Sequence, residues 1–240
     1  MEIPALVKVF IPIIAGLISL ILFIVRCKDK RSVQGVYTKN MTSIMFIFTA
    51  VMSTFNNPTQ WQYGFMLTCG LIFGMLGDIY LDLKWVYPDD MKKYLEYGFI
   101  CFGFGHLFYI GAMLVAAKLS FKHMLIAAVV GAVVAAGNLL LEKPMKQNFG
   151  KFKGIVTIYS FILAMMVATS VVSAIVTGEK SFIIYAVGAI LFLISDLILS
   201  PMYFGEGKNT PTNFILNHVT YYAGQYLIAF SIFFMPQIGA

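Results

Sequence analysis

Residues 69–81 read CGLIFGMLGDIYL, and residues 187–199 read VGAILFLISDLIL. Each run is apolar apart from the carboxylates it carries, Asp78 in the first and Asp196 in the second. At an offset of 118 residues, Gly70 aligns with Gly188, Asp78 with Asp196 and Leu81 with Leu199. A carboxylate in the centre of a membrane helix costs roughly 2.5–3.5 kcal/mol on insertion scales. Two such acids at matched positions are therefore expected to face the protein interior and to carry function.

The rest of the chain supports the membrane setting. Of 240 residues, 60% are hydrophobic and 12% charged, and the mean hydropathy is +0.83. A hydrocarbon core about 30 Å thick takes about 20 apolar residues per helix. Eight stretches meet that length, near 4–26, 38–56, 62–83, 94–116, 121–141, 152–177, 181–201 and 212–234. The fold expected is an all-α membrane protein of eight transmembrane helices in one domain spanning 1–240. The second stretch is the most polar, thinned by Thr42, Ser43, Thr49, Ser53 and Thr54. Segment 4–26 is too long for a signal peptide and lacks a small-residue cleavage site, so it reads as the first span. Cys27, Cys69 and Cys101 lie in or beside spans and read as packing residues rather than a disulfide framework.

The net charge of +6 follows the loops and is not a nucleic-acid footprint. Thirteen of the 17 Lys and Arg residues fall in alternate connections: Arg26, Lys28, Lys30, Arg31 and Lys39, then Lys84, Lys92 and Lys93, then Lys143, Lys146, Lys151 and Lys153, then Lys208. Only Lys8, Lys118, Lys122 and Lys180 lie on the other side. The positive-inside rule places those richer loops in the cytoplasm and both termini outside. In a bacterium this would be the cytoplasmic membrane.

The repeat extends past the acids. Gly105-His106 falls opposite Gly224-Gln225 at an offset of 119. Residues 1–116 and 121–234 are thus expected to form two parallel four-helix repeats about an axis along the membrane normal. Asp78 lies six residues before Lys84, or about 9 Å along a helix. Both acids then sit at equal depth toward the cytoplasmic leaflet, with His106 and Gln225 nearer mid-depth.

Around Asp78, Gly70, Gly74 and Asp82 share its helical face; Gly70 and Gly74 make a GxxxG step suited to close helix approach. Asp82 reads as a site member or a solvated helix end. Asn217, Tyr221 and Gln225, spaced four apart, suggest a cavity wall, with Tyr222 beside them. Tyr109 and Tyr159 are supporting candidates. His106 reads as an interior hydrogen-bonding residue, because no helical metal spacing such as HExxH occurs. Neither a metal nor another cofactor is expected. Two buried carboxylates sharing a site titrate as a pair, and one protonated beside one ionised suits general acid–base chemistry. Lys151 and Lys153 read as helix-end anchors or lipid-phosphate contacts.

Together, Gly70-Leu-Ile-Phe-Gly-Met-Leu-Gly77-Asp78, its echo Gly188 to Asp196, the Gly105-His106-xx-Tyr109 step and the Tyr221-Tyr222-xx-Gln225 step resemble the YhhN-like, or lysoplasmalogenase, family. The resemblance covers essentially the whole chain. It implies a membrane hydrolase that cleaves the vinyl ether bond of lysoplasmalogens to a fatty aldehyde and glycerophosphocholine or glycerophosphoethanolamine. It implies catalysis by Asp78 and Asp196, with His106, Tyr222 and Gln225 in support. Gly74 departs from the serine that many members carry there. The partners so implied are a lysophospholipid and the bilayer; whether the chain also forms a homodimer is open.

Two other functions fit parts of the pattern. Parallel repeats with membrane-embedded acids suit a small proton-coupled transporter, although Pro201 is expected at a helix end and neither acid-bearing helix has an evident break. Leu76-Gly77-Asp78 resembles the GxGD site of intramembrane aspartyl proteases, but Met75 replaces its first glycine.

Overall fold

The computed structural model describes residues 4–27 and 32–236. These form eight α-helices: α1 (Ala5–Cys27), α2 (Val33–Phe55), α3 (Trp61–Val86), α4 (Met91–Ala117), α5 (Phe121–Leu140), α6 (Lys153–Thr177), α7 (Lys180–Phe204) and α8 (Pro211–Ser231). Each coincides with one expected apolar stretch. Six of them, α1 and α3 to α7, are long and apolar enough to cross a membrane. The other two, α2 and α8, are more polar because they line the interior.

Local chemistry sets the helix ends. The Ser32 hydroxyl accepts the Gly35 amide at 3.3 Å and starts α2. Thr210 accepts the Asn213 amide at 3.2 Å, with Pro211 in the first position of α8. Gly178 stops α6 in the left-handed conformation, at φ 65°.

Two boundaries correct the sequence reading. α2 begins at Val33 rather than near 38, so Lys39 belongs to the helix and not to the connection before it. Pro201 lies inside α7, whose last turn continues to Phe204, and the Gly205 amide donates to the Pro201 carbonyl at 2.9 Å. Lys28, Lys30 and Arg31 lie outside the described residues. Cys69 and Cys101 are free thiols.

Helix pairs α1/α2, α3/α4, α5/α6 and α7/α8 pack most extensively. Glycines let two of them meet backbone to backbone. A β-carbon on Gly70 would lie 3.0 Å from the Gly105 carbonyl oxygen, and one on Gly105 would lie 2.9 Å from that of Gly70. In α7/α8 the corresponding distances are 2.8 Å from Gly188 to the Gly224 oxygen and 2.7 Å in reverse. These are the residues that the repeat aligns. Gly74 has a different role: a β-carbon there would sit 2.8 Å from Gln225 Nε2, so the missing side chain makes room for α8.

Polarity is distributed inside out. α2 buries Thr42, Ser43, Thr49 and Ser53 completely, while Ile11, Ile14, Ile18 and Val25 of α1 and Val129 and Val133 of α5 are exposed. α5 buries only Ala127, Gly131 and Ala135, a small-residue stripe set against α6. So wide an apolar exterior needs an apolar surrounding.

Candidate active site

Asp78 lies on α3 with 3% of its surface exposed. Ser43 of α2 and Tyr221 of α8 each donate to its Oδ2 at 2.8 Å. Lys39 Nζ lies 3.2 Å from its Oδ1 and 3.1 Å from Asp82 Oδ1. Lys39, itself 5% exposed, thus bridges two carboxylates one helical turn apart. A second layer holds these groups. Tyr222 OH is 3.0 Å from Ser43 Oγ and 3.2 Å from the Lys39 carbonyl oxygen. Tyr109 donates to Gln225 Oε1 at 2.8 Å, and Gln225 Nε2 donates to the Tyr221 oxygen at 3.2 Å. The order Tyr109, Gln225, Tyr221, Asp78 is a relay whose donors all point toward the carboxylate.

Asp196 on α7 has a sparser shell. Tyr159 of α6 donates to its Oδ2 at 2.5 Å. His106 Nε2 lies 3.3 Å from the same tyrosine oxygen, while buried His106 Nδ1 has no hydrogen-bond partner among the described residues. Asn217 Nδ2 donates to the Ser195 carbonyl at 2.8 Å and so fixes α8 to α7 beside the acid. No Lys or Arg among the described residues pairs with Asp196.

Both acids border one cleft, together with Lys39, Asp82, Phe102 and Tyr221, with about 720 Å³ of empty space counted out to its open mouth. Trp85, Tyr203 and Asn209 also line it. A second, mainly apolar groove lies among α5, α6 and α7, lined by Val134, Leu163, Leu193 and Leu197, with about 1030 Å³ of empty space counted out to its open side. Phe99, Tyr159, Asp196, Leu199 and Tyr203 belong to both walls, so the two spaces adjoin at Asp196. Val134 and Leu197 are exposed, which opens the apolar groove sideways between α5 and α7.

All ten residues singled out from the sequence fall in this region, but three readings change. The two acids do not share a hydrogen bond; each has its own donors, and the cavity lies between them. Asp82 is tied to Lys39 rather than being only a solvated helix end. Tyr221, read only as part of a cavity wall, donates to Asp78, and Tyr222, which the resemblance implies in support, stands one layer back. Lys39 and Ser43 were missed. Their signal was the hydroxyl-rich second stretch, in which Lys39, Ser43 and Phe46 recur on one helical face and are all buried. Lys153 pairs with Glu142 at 2.7 Å and Lys151 with Glu96 at 3.3 Å. Among the described residues no group of three His, Cys, Asp or Glu is placed to hold a metal ion.

The sequence model of the YhhN family matches residues 34–232. That span contains every site residue above, and the chain belongs to the YhhN family. No curated protein and no solved structure matches it.

Proposed function

We propose that this member of the YhhN family is a lysoplasmalogenase-type hydrolase, which releases a fatty aldehyde from a lysophospholipid by splitting its vinyl ether. The observation that carries the reading is the junction at Asp196, where a cavity bordered by the buried Asp78 and the half-buried Asp196 meets a chain-sized apolar groove. The groove suits the alkenyl chain, and the polar cavity suits the glycerol and headgroup.

The chemistry asks for these groups. A vinyl ether hydrolyses when its β-carbon takes a proton, giving an oxocarbenium ion that water traps as a hemiacetal. The hemiacetal then collapses to aldehyde and alcohol. Protonation of carbon is slow, so a positioned carboxylic acid accelerates it, and a neighbouring carboxylate stabilises the cation and takes a proton from the attacking water. Asp78 and Asp196 supply the pair. Tyr221, Gln225 and Tyr109 hold one acid, and Tyr159 and His106 hold the other.

In this reading all eight helices span the bilayer, α2 and α8 being shielded by their neighbours. The two glycine crossings support two parallel four-helix repeats, and the basic connections support termini outside. Purified protein given a lysoplasmalogen should release fatty aldehyde, and the saturated alkyl-ether analogue should remain intact. Absence of aldehyde from the alkenyl lipid would overturn the proposal. The buried Lys39 and Asp78 pair also suits a proton-coupled carrier. Proton flux in proteoliposomes without lipid turnover would favour that reading instead.

A further inference from the structure

The two acids are not equivalent in their surroundings. Asp78 accepts from Ser43 and Tyr221 and faces the Lys39 ammonium, and the relay from Tyr109 through Gln225 ends on it as an acceptor. An ionised carboxylate has about four lone-pair sites. These contacts use three and leave one for a water in the cavity. Asp196 has one tyrosine donor and, among the described residues, no cation. The cavity wall therefore holds one ammonium and the His218 imidazole, whose Nδ1 lies 2.8 Å from the Phe214 carbonyl oxygen, among three carboxylates, Asp78, Asp82 and Asp196. A poorly solvated charge without a counter-ion favours its neutral form, and the half-buried Asp196 faces the apolar groove on one side. Lys39 is committed to the α3 pair, which leaves Asp196 as the acid that keeps its proton.

Resting on the vinyl ether reading above, we infer that Lys39 is a positioning residue that divides the labour: it holds Asp78 as the carboxylate, and Asp196 is the proton donor. Asp196 then sits where the chain-sized groove enters the cavity, beside the alkenyl carbons that must be protonated. In the forward reaction the Asp196 carboxyl proton goes to the β-carbon as the double-bond electron pair forms the new C–H bond. Water adds to the oxocarbenium carbon and gives its proton to Asp78. The hemiacetal hydroxyl returns a proton to Asp196 as the C–O bond to glycerol breaks, and Asp78 passes its proton to the leaving oxygen. Both acids end as they began, and one water is consumed.

Infrared spectra of the purified full-length protein test the assignment without reference to turnover. At neutral pH a protonated carboxyl band should vanish in Asp196→Asn and persist in Asp78→Asn. Lys39→Met should add a second such band, and Lys39→Arg should not. A band that vanishes in Asp78→Asn instead, or a wild type without any protonated carboxyl, would overturn the inference even if the wild type cleaves lysoplasmalogen. If Lys39→Met does not fold, the two aspartate variants still decide the matter. In the activity assay Lys39→Met should lower kcat on the order of 100-fold, with most of it restored by Lys39→Arg. Loss of aldehyde release in the wild type, with the bands as assigned, would sink the substrate reading and leave the charge assignment standing.

Discussion

Gln225 and His106 occupy matched positions on α8 and α4, and each stands one tyrosine away from the aspartate of the opposite half of the chain. Gln225 holds Tyr221, which donates to Asp78; His106 lies against Tyr159, which donates to Asp196. The halves are thus crossed, so neither acid is positioned by its own half alone. A shift between halves would disturb both acids together.

The tyrosines that touch the acids should matter more than the one behind them. Tyr221→Phe and Tyr159→Phe each remove a buried donor, an effect of about 1–3 kcal/mol. Their kcat for aldehyde release should fall about 10- to 100-fold. Tyr222→Phe should fall less, because Ser43 keeps its contact with Asp78. Equal losses in all three would contradict the layered arrangement.

The α7/α8 crossing should tolerate no added carbon. Gly224→Ala places a β-carbon 2.7 Å from the Gly188 carbonyl oxygen, an overpacking of about 1–3 kcal/mol. Thermal unfolding in detergent should shift down accordingly. Gly103→Ala is the control, since a β-carbon there meets nothing within 4 Å; it should leave the midpoint unchanged.

The groove should set chain length. Gly137 lines it, and a β-carbon there also meets nothing within 4 Å. Gly137→Leu should fill the space without displacing the helix. Aldehyde release measured across a chain-length series should move toward shorter chains, chiefly through KM for the longer ones. An unchanged preference would remove the groove from the substrate path.

The α5–α6 connection should loosen in acid. Lys153, and after it the Phe149 amide, hold the Glu142 carboxyl below the usual glutamate range. With the lower value in the folded state, this stabilisation is complete above the unfolded value and is lost as pH falls through the folded one. Hydrogen exchange at the Gln147 and Phe149 amides should therefore rise on acidification. Glu142→Gln should raise it already at neutral pH and flatten the dependence. Exchange that ignores both changes would contradict the role given to Glu142.

The helices were legible because long apolar stretches announce themselves by length and hydropathy, and the close approach at Gly70 because its GxxxG step with Gly74 allows one; that Gly105, Gly188 and Gly224 complete the two crossings is visible only in the structure. Lys39 was hidden for a physical reason. A lysine near the polar start of a hydroxyl-rich stretch looks the same as a loop lysine until Ser32 is known to cap the helix. Tyr221 and Tyr222 could not be ranked either, since neighbouring side chains differ by about 100° around the axis and only the rotation of α8 decides which meets Asp78. Tyr159 stood out as a candidate, but its pairing with Asp196 was hidden, because it reaches the acid from α6, 37 residues away.

Two acids acting on one substrate are the core of the proposed chemistry. Its most direct test is aldehyde release from a lysoplasmalogen by purified wild type, Asp78→Asn and Asp196→Asn, each checked for folding by size-exclusion chromatography. Both variants should stay folded and lose at least about 100-fold in kcat. Full activity in either folded variant would contradict the account.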